Sequence, residues 1–216
     1  MNPIERLTAA FERFPGIGPR QARRFVQYLL SQNESARKEL AQSVTKLGSE
    51  TKECAKCHRW FPAQGRSASG GVHLCNICSN PRRDTGLLFV VEKDADLEQV
   101  ERSGFKGLYF VLGGAIPLAA EEPEKHIRAK ELLRRISEDG AANLPAGKAG
   151  KLNEVILGLS ATTEGDHTRQ ILYEKIEPLA KGLSFKLSSL GRGLSTGSEL
   201  EYADPETIAS ALSSRN

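Results

Sequence analysis

Apolar positions along the chain follow two different patterns, and the change comes near residue 86. Up to that point they recur three or four residues apart, which is typical of helices, and beyond it they come in short continuous runs. A continuous apolar run is the mark of a strand buried on both faces of a sheet. The second part therefore predicts strands at 87–91, 107–112, 154–159 and 184–190, and helices at 95–102, 123–138 and 164–180. Such an alternation predicts an α/β domain with a mostly parallel sheet and helices on both faces.

The first part of the chain predicts three helices, at residues 3–13, 19–30 and 34–48. The first two are separated by Phe-Pro-Gly-Ile-Gly-Pro at residues 14–19, where two glycines relax the backbone and the last proline suits a first helical position. This arrangement resembles the helix-hairpin-helix of many DNA-binding proteins.

The hairpin has the chemistry for a phosphate contact. Its glycines let the backbone approach an anion closely, and N–H groups at a helix N-terminus favour negative charge. Ile17 would point inward and hold the hairpin, and the arginines that follow could reach neighbouring phosphates without reading base sequence. An ordinary helical packing unit is the alternative, and the arginine cluster weighs against it. The candidate DNA-contacting residues are Gly16, Ile17, Gly18, Arg20, Arg23 and Arg24.

All four cysteines of the chain form two CxxC pairs, Cys54 with Cys57 and Cys75 with Cys78, separated by residues 58–74. This double spacing is typical of a four-thiolate zinc site. Zn²⁺ prefers four ligands in a tetrahedron, and four cysteines leave no position open for a substrate. We therefore expect one structural zinc ion per chain. The alternatives are two disulfides or four unrelated thiols.

Two glycine-rich segments predict loops. Residues 62–73 lie between the cysteine pairs and offer almost no core, so we expect that segment to fold only with the metal. His58 and His73 lie beside the cysteines as possible substitute ligands, but four cysteines need neither. Residues 139–150 have linker composition and predict a mobile surface loop.

Composition and charge add a class of partner. Hydrophobic residues make up 39% and charged residues 26% of the chain, which is ordinary for a globular protein. No apolar run approaches the ~20 residues that a membrane-spanning helix needs. The first residues lack the apolar core of a signal peptide, and the metal-type cysteine spacing favours a reducing cytoplasm. Residues 1–83 carry 14 Lys and Arg against 6 Asp and Glu, whereas residues 84–216 carry 16 against 21. The basic first part predicts a polyanionic partner, of which nucleic acid is the usual one.

Acidic residues mark the predicted carboxyl edge of the sheet. Glu92 follows the first strand, and Glu164 and Asp166 follow the third. Ligands of such sheets bind beyond the carboxyl ends of the strands, so these acids are candidate binding residues.

The last residues predict a short helix, with Asp204 as its N-cap and Pro205 at its first position. Ile208, Ala211 and Leu212 give this helix an apolar face. It must therefore dock on a surface, either that of its own domain or that of a neighbouring subunit.

Several motifs in a fixed order carry a resemblance over nearly the whole chain. They are the hairpin at 14–19, the two CxxC pairs, Val-Val-Glu at 90–92, Leu-Tyr-Phe-Val-Leu-Gly-Gly at 108–114, Thr-Thr-Glu-Gly-Asp at 162–166 and the tail at 191–204. The set resembles the bacterial RecR family of recombination proteins. The resemblance implies a helix-hairpin-helix region at 1–50, a four-cysteine zinc finger at 51–84, a Toprim domain at 85–192 and a C-terminal segment at 193–216 that contacts another subunit.

The resemblance also implies a function. RecR proteins are not known as enzymes, and they assemble, commonly as ring-like tetramers that exchange terminal segments. With RecO and RecF they help load the RecA recombinase onto single-stranded DNA coated by single-strand-binding protein. By motif match, the hairpin residues other than Arg23 would contact DNA, the four cysteines would bind zinc, and the acids at 92, 164 and 166 would belong to the interface with RecO.

The chain departs from the family pattern in three places. The loop between the cysteine pairs is longer, residues 139–150 form an insertion, and Ser-Ala-Thr at 160–162 stands where the family usually has Asn-Pro-Thr. The first of these could alter the surface that the zinc finger offers to DNA or a partner.

A Mg²⁺-dependent Toprim enzyme, such as a primase, topoisomerase or nuclease, is the main alternative. Those enzymes hold the metal with a glutamate and a DxD motif, so that it neutralises charge during phosphoryl transfer. When Glu164-Gly165 is aligned with their Glu-Gly, the two aspartates fall on Ser160 and Thr162. We therefore expect a non-catalytic mediator, and weak Mg²⁺ binding by Glu92 and Glu164 is left open.

Two further alternatives weigh less. Asp94 and Asp96 also form a DxD, but they follow the first strand and suit the cap of the next helix. An adaptor without DNA contact would not need the basic first part or the hairpin.

Overall fold

The computed structural model describes residues 1–62, 67–68, 72–141, 152–191, 193–194, 197 and 199–213. The chain divides into two compact units, Met1–Lys52 and Glu53–Asn216. The second unit contains both the cysteine pairs and the sheet. The four domain boundaries drawn from the sequence stay a prediction.

The first unit is helical, with α1 at Pro3–Phe11, α2 at Pro19–Ser31 and α3 at Glu34–Glu50. An asparagine before α1 and another before α3 accept a backbone N–H from the first turn, as N-caps do. α1 and α2 pack against each other, with the Phe11 and Phe25 rings 5.6 Å apart. The three helices predicted from the sequence are confirmed, and α1 ends two residues earlier than predicted.

Short strands lie beside the cysteine pairs. β1 at Thr51–Glu53 pairs with β2 at Trp60–Pro62, and β3 at Ser67–Ala68 pairs antiparallel with β4 at Val72–His73. Part of the predicted loop at 62–73 is thus a two-residue ladder. Residues 63–66 and 69–71 of that loop lie outside the described residues.

A four-stranded parallel sheet forms the centre of the second unit. Its strands are β5 at Asp84–Val91, β6 at Gly107–Val111, β7 at Glu154–Gly158 and β8 at Lys186–Ser189, in the order β6-β5-β7-β8. All three strand pairs are parallel, which confirms the sheet predicted from the alternating pattern. Every residue of β6 is buried, as its continuous apolar run requires.

The helices of the second unit are α4 at Asp94–Arg102, α5 at Ala129–Ala141, α6 at Thr163–Leu183 and α7 at Pro205–Ser213. The predicted helix at 123–138 is wrong at its start, where Pro123–Lys125 form a separate 3-10 turn. The reason is tertiary, because the backbone N–H of Arg128 donates to the Leu112 carbonyl at 2.9 Å. α5 also continues into the predicted loop at 139–150, of which residues 142–150 lie outside the described part.

One buried cluster joins the cysteine segment to the sheet. Cys54, Cys57, Cys75, Phe61 and Ile77 belong to the same apolar core as the residues of β5, β6 and β7. The core therefore places the cysteines directly against the end of the sheet. Within the described ranges no helix is long and apolar enough to cross a bilayer.

Candidate functional site

The four cysteine sulfurs converge on one point. The two CxxC turns are closed by backbone bonds from His58 N to Cys54 O and from Ser79 N to Cys75 O, of 2.9 and 3.0 Å. The four sulfurs all lie within 4.8 Å of one another, and those of Cys57 and Cys75 are 3.6 Å apart. Four sulfurs around Zn²⁺ at about 2.3 Å define a tetrahedron with edges of about 3.8 Å. The cluster therefore has the size and donor set of a metal site, and the alternative of two disulfides is wrong because all four thiols are free.

Hydrogen bonds connect the sulfurs of the cluster with one another and with the backbone. Backbone N–H groups of Cys75 and Cys78 donate to the sulfurs of Cys54 and Cys75 at 3.4 and 3.5 Å. The hydrogen bond from Cys57 lowers the pKa of the Cys54 thiol, and the same bond raises the pKa of Cys57. Metal ligation requires thiolates, so a divalent cation bound here would replace the protons of these thiols.

The neighbouring histidines do not belong to the metal cluster. Within the described part of the chain the cluster consists of the four cysteines alone. His58 Nδ1 lies 2.7 Å from Glu53 Oε1, and its ring packs edge-on against Phe110. His73 contributes its backbone carbonyl, which accepts the N–H of Ala55 at 2.9 Å. The prediction that four cysteines need no histidine agrees with this geometry.

Hydrogen bonds to the backbone of the cysteine segment attach this segment to the sheet and its helices. The Cys57 carbonyl accepts the N–H of Val111 at the end of β6, at 2.8 Å. The Lys56 carbonyl accepts Arg135 Nη1 from α5, also at 2.8 Å. Asp94 at the start of α4 accepts the N–H of Trp60 at 3.1 Å, and burial raises the pKa of that carboxyl.

The two aromatic residues after the first cysteine pair have different surroundings. Phe61 is buried in the shared core, whereas Trp60 is 53% exposed. Of the two rings, only that of Phe61 therefore belongs to the core.

Glu92 is held at the carboxyl edge of the sheet by the residue that replaces an expected aspartate. This side chain is only 5% exposed, and its Oε1 accepts both the backbone N–H and the hydroxyl of Ser160, at 2.8 and 2.7 Å. The Ser160 hydroxyl is also 3.0 Å from Thr162 Oγ1, which caps α6 by accepting the N–H of Gly165 at 3.1 Å. The two positions where catalytic Toprim proteins have carboxylates are thus occupied by hydroxyls that organise the edge.

The other two predicted acids lie in the first turn of α6. Glu164 is exposed, and Asp166 forms an ion pair with Arg169 at 2.6 Å. Among the described residues, these two acids and Glu92 do not form a set placed to hold one metal ion. Asp96 accepts the N–H of Lys93 at 2.9 Å, which confirms its predicted capping role.

The hairpin of the first unit has the predicted backbone. Gly16 has φ +74°, in the left-handed region that glycine tolerates, and Ile17 is half-buried. Gly18 is the N-cap of α2 and, lacking a side chain, leaves the first N–H groups of the helix without a side-chain cap. Arg20, Arg23 and Arg24 are exposed on the turns that follow.

A cleft of ≈ 680 Å³ lies beside these arginines. It is lined by Arg20, Arg23 and Arg24 together with Thr8 of α1 and Glu12, which follows α1. Three cations against one carboxylate give the cleft a positive balance, which suits a polyanion such as a nucleic-acid backbone.

Sequence reasoning missed two residues of these sites. The motif comparison treats Ser160 only as a missing aspartate, but its hydroxyl is the hydrogen-bond donor that a buried glutamate needs. Arg135 was passed over, although it interrupts the apolar face of α5 between Leu132 and Ile136. A charged residue inside an apolar stripe is uncommon, and this pattern could have identified Arg135 as a candidate.

Family models match most of the chain. They are the RecR helix-hairpin-helix at residues 4–47, the Toprim domain at 86–187 and the RecR C-terminal model at 193–216. Curated relatives with the name "Recombination protein RecR" are similar along nearly its whole length. The protein of Bacteroides fragilis is 36% identical over 98% of this chain and 92% of its own length. Those of Amoebophilus asiaticus and Cereibacter sphaeroides are 36% and 35% identical over 98% of this chain and over 94% and 95% of their own lengths. The chain belongs to the RecR family of recombination proteins.

Proposed function

We propose that this protein is a non-catalytic recombination mediator in DNA repair. It binds DNA and, with RecO and RecF, helps load RecA onto single-stranded DNA coated by single-strand-binding protein. The observation that carries this proposal is the family similarity over 98% of the chain. The exposed arginines beside an uncapped helix N-terminus favour DNA as the direct ligand, because both features attract phosphate.

The absence of catalysis is part of the proposal. Mg²⁺-dependent phosphoryl transfer needs several carboxylates around the ion, and Ser160 and Thr162 supply hydroxyls at two of those positions. The carboxylate of Glu92 accepts two hydrogen bonds from Ser160, which leaves it less free to bind an ion. Incubation with Mg²⁺ and labelled DNA, without partners, is expected to leave the DNA unchanged.

We propose zinc as the ion of the four-cysteine cluster. Four thiolates within one tetrahedron suit Zn²⁺, and such a closed site is structural. Four free thiols favour a reducing compartment, the cytoplasm, as the place of action.

We also propose a homo-oligomer, most simply the ring-like tetramer of the family. Within the first unit, α3 has no buried residue, and Leu40, Val44 and Leu47 give it an exposed apolar stripe. An apolar stripe at helical spacing is typical of a helix that packs against another element. A second copy of the chain would supply that element.

Changing Arg20 and Arg24 together to alanine is expected to weaken DNA binding and its salt dependence. Each lost phosphate contact makes the slope of log K against log salt shallower by about 0.7 for single strands. The measurement is fluorescence anisotropy with labelled single-stranded DNA over a salt series. The matched control removes Lys38 and Lys46 from α3, which lowers the net charge equally. An unchanged slope in the arginine variant, or equal flattening in the control, would contradict the hairpin assignment.

Changing Glu164 and Asp166 to their amides is expected to weaken the complex with RecO about tenfold, since charged groups at a rim set orientation and encounter. The exposed Glu164 and the partly exposed Asp166 are accessible to a partner, whereas Glu92 is buried. Size-exclusion chromatography with light scattering measures the complex and the subunit number of the protein alone. The control changes Glu174 and Glu177, two acids further along α6. If both variants bind RecO equally well, Glu164 and Asp166 do not belong to the interface.

A further inference from the structure

Arg135 on α5 is a charged residue in the core of the second unit. It is only 4% exposed. Its Nη1 donates to the carbonyl of Lys56, the residue inside the first CxxC turn, at 2.8 Å, and its Nε pairs with Asp139. Its remaining nitrogen, Nη2, is buried and has no partner within the described part of the chain.

An unpartnered buried N–H group is uncommon, and it usually indicates a missing acceptor. The guanidinium has five donors, of which Asp139 and Lys56 occupy two. Besides Asp139, the sulfurs of Cys57 and Cys78 act electrostatically on this guanidinium. Although burial alone would lower the pKa of Arg135, the carboxylate of Asp139 raises it, and the two cysteines act in the same direction.

A cysteine cluster with its metal ion bound has a negative charge, which a nearby cation stabilises. A divalent ion with four thiolates has a net charge of −2, and a buried charge is costly unless an opposite charge or hydrogen bonds offset it. Arg59, whose Nε is also buried without a partner, lies instead within reach of the carboxylates of Asp94 and Glu101. Arg135 is thus the arginine that fits the cluster.

We propose that Arg135 is the positioning cation of the metal centre. Its guanidinium offsets the negative charge of the loaded cluster, and its Nη1 fixes the first CxxC turn through the carbonyl of Lys56. This inference rests on the proposed zinc ion and goes beyond it, because it makes metal retention depend on a helix of the Toprim domain.

The test uses the full-length protein with Arg135→Met, which keeps most of the volume and removes charge and donors. Zinc affinity is measured by competition with a chromophoric chelator. We expect it to fall 10- to 100-fold, the usual effect of losing an outer-shell partner. Arg135→Lys keeps the positive charge without the planar guanidinium group and is expected to recover part of the lost zinc affinity. Arg134→Met, on the exposed face of the same helix, is the matched control and is expected to keep wild-type affinity.

Two further measurements separate this role from a purely structural one. In the cobalt-substituted protein, loss of the nearby positive charge is expected to shift the thiolate-to-cobalt charge-transfer bands of Arg135→Met, and Arg134→Met is expected to keep the wild-type spectrum. Asp139→Asn removes the carboxylate that competes for Arg135 and is expected to keep or raise zinc affinity.

The outcomes distinguish the inference from the metal assignment. If the wild-type protein binds cobalt or iron but not zinc, the identity of the ion is corrected. A 10- to 100-fold loss of affinity for that ion in Arg135→Met would then support the role of Arg135, and an unchanged affinity would overturn it. A wild-type protein that binds no metal would overturn both. Wild-type affinity and spectrum in Arg135→Met, or an affinity loss in Asp139→Asn as large as in Arg135→Met, would overturn the role of Arg135 alone.

Discussion

Changing Cys57 to serine is expected to empty the metal site and unfold the cysteine segment. Three thiolates hold Zn²⁺ much less tightly than four, and structural zinc contributes an apparent ~10–16 kcal/mol in small zinc-binding peptides. Cys57 is fully buried, and its carbonyl accepts the N–H of Val111, so the damage extends to the end of β6. We expect the free energy of unfolding of the second unit to fall by more than ~4 kcal/mol, which is the range of metal-site losses.

The measurement combines metal content with thermal unfolding. Wild-type protein is expected to contain about one zinc per chain and the variant close to none, with a lower unfolding midpoint. Treating wild-type protein with a strong chelator is expected to reproduce the variant, and adding zinc back is expected to restore only the wild type. Ser79→Ala, in the second CxxC turn, is the control, because its side chain is exposed and its backbone bond to Cys75 remains. A fully stable, metal-free variant would show that the segment folds without the ion.

Changing Gly165 to alanine is expected to disrupt the edge that holds Glu92. A Cβ atom at Gly165 would lie 2.1 Å from the backbone oxygen of Ser160 and 2.5 Å from its hydroxyl oxygen. The N–H and the hydroxyl of Ser160 both donate to Glu92, so a shift of Ser160 away from the added methyl group would disturb those bonds. Overpacking of this kind costs about 1–3 kcal/mol and sometimes more, and the freed carboxylate would add the cost of a buried unsatisfied charge.

Gly182 provides the matched control within the same helix. A Cβ atom there would meet nothing within 4 Å, so Gly182→Ala is expected to stabilise α6 by about 0.5–1 kcal/mol. Urea unfolding of both variants measures the difference, and binding of RecO shows whether the edge is needed for the partner. If both glycine variants are equally stable, the close packing of α6 on residue 160 is not what holds this edge.

The sequence predicted what depends on local pattern. The four strands of the sheet follow from runs of apolar residues, and the metal cluster follows from the two CxxC spacings, because a tight turn fixes both thiolates of a pair. The hairpin at Gly16 was equally local, since a positive φ favours glycine.

What the sequence could not predict depends on contacts between distant residues. Ser160 donates to Glu92 across 68 positions of the chain, and Arg135 reaches Lys56 across 79. The start of α5 was misplaced for the same reason, because the N–H of Arg128 is used by Leu112 and not by a helical turn. Polar contacts of this kind depend on the tertiary fold, and no local pattern in the sequence predicts them.

The strand order also has a consequence for the newly made chain. The central strand β5 pairs with β6 on one side and β7 on the other, but β6 ends at Val111 and β7 begins only at Glu154. At about 5–20 residues per second, a ribosome needs about 2–9 s to make the intervening segment. During that interval one hydrogen-bonding edge of β5, whose last five residues are apolar, has no neighbouring strand. Slow translation or a stall there would lengthen the time in which this edge can aggregate, whereas the helical first unit has by then been completely synthesised.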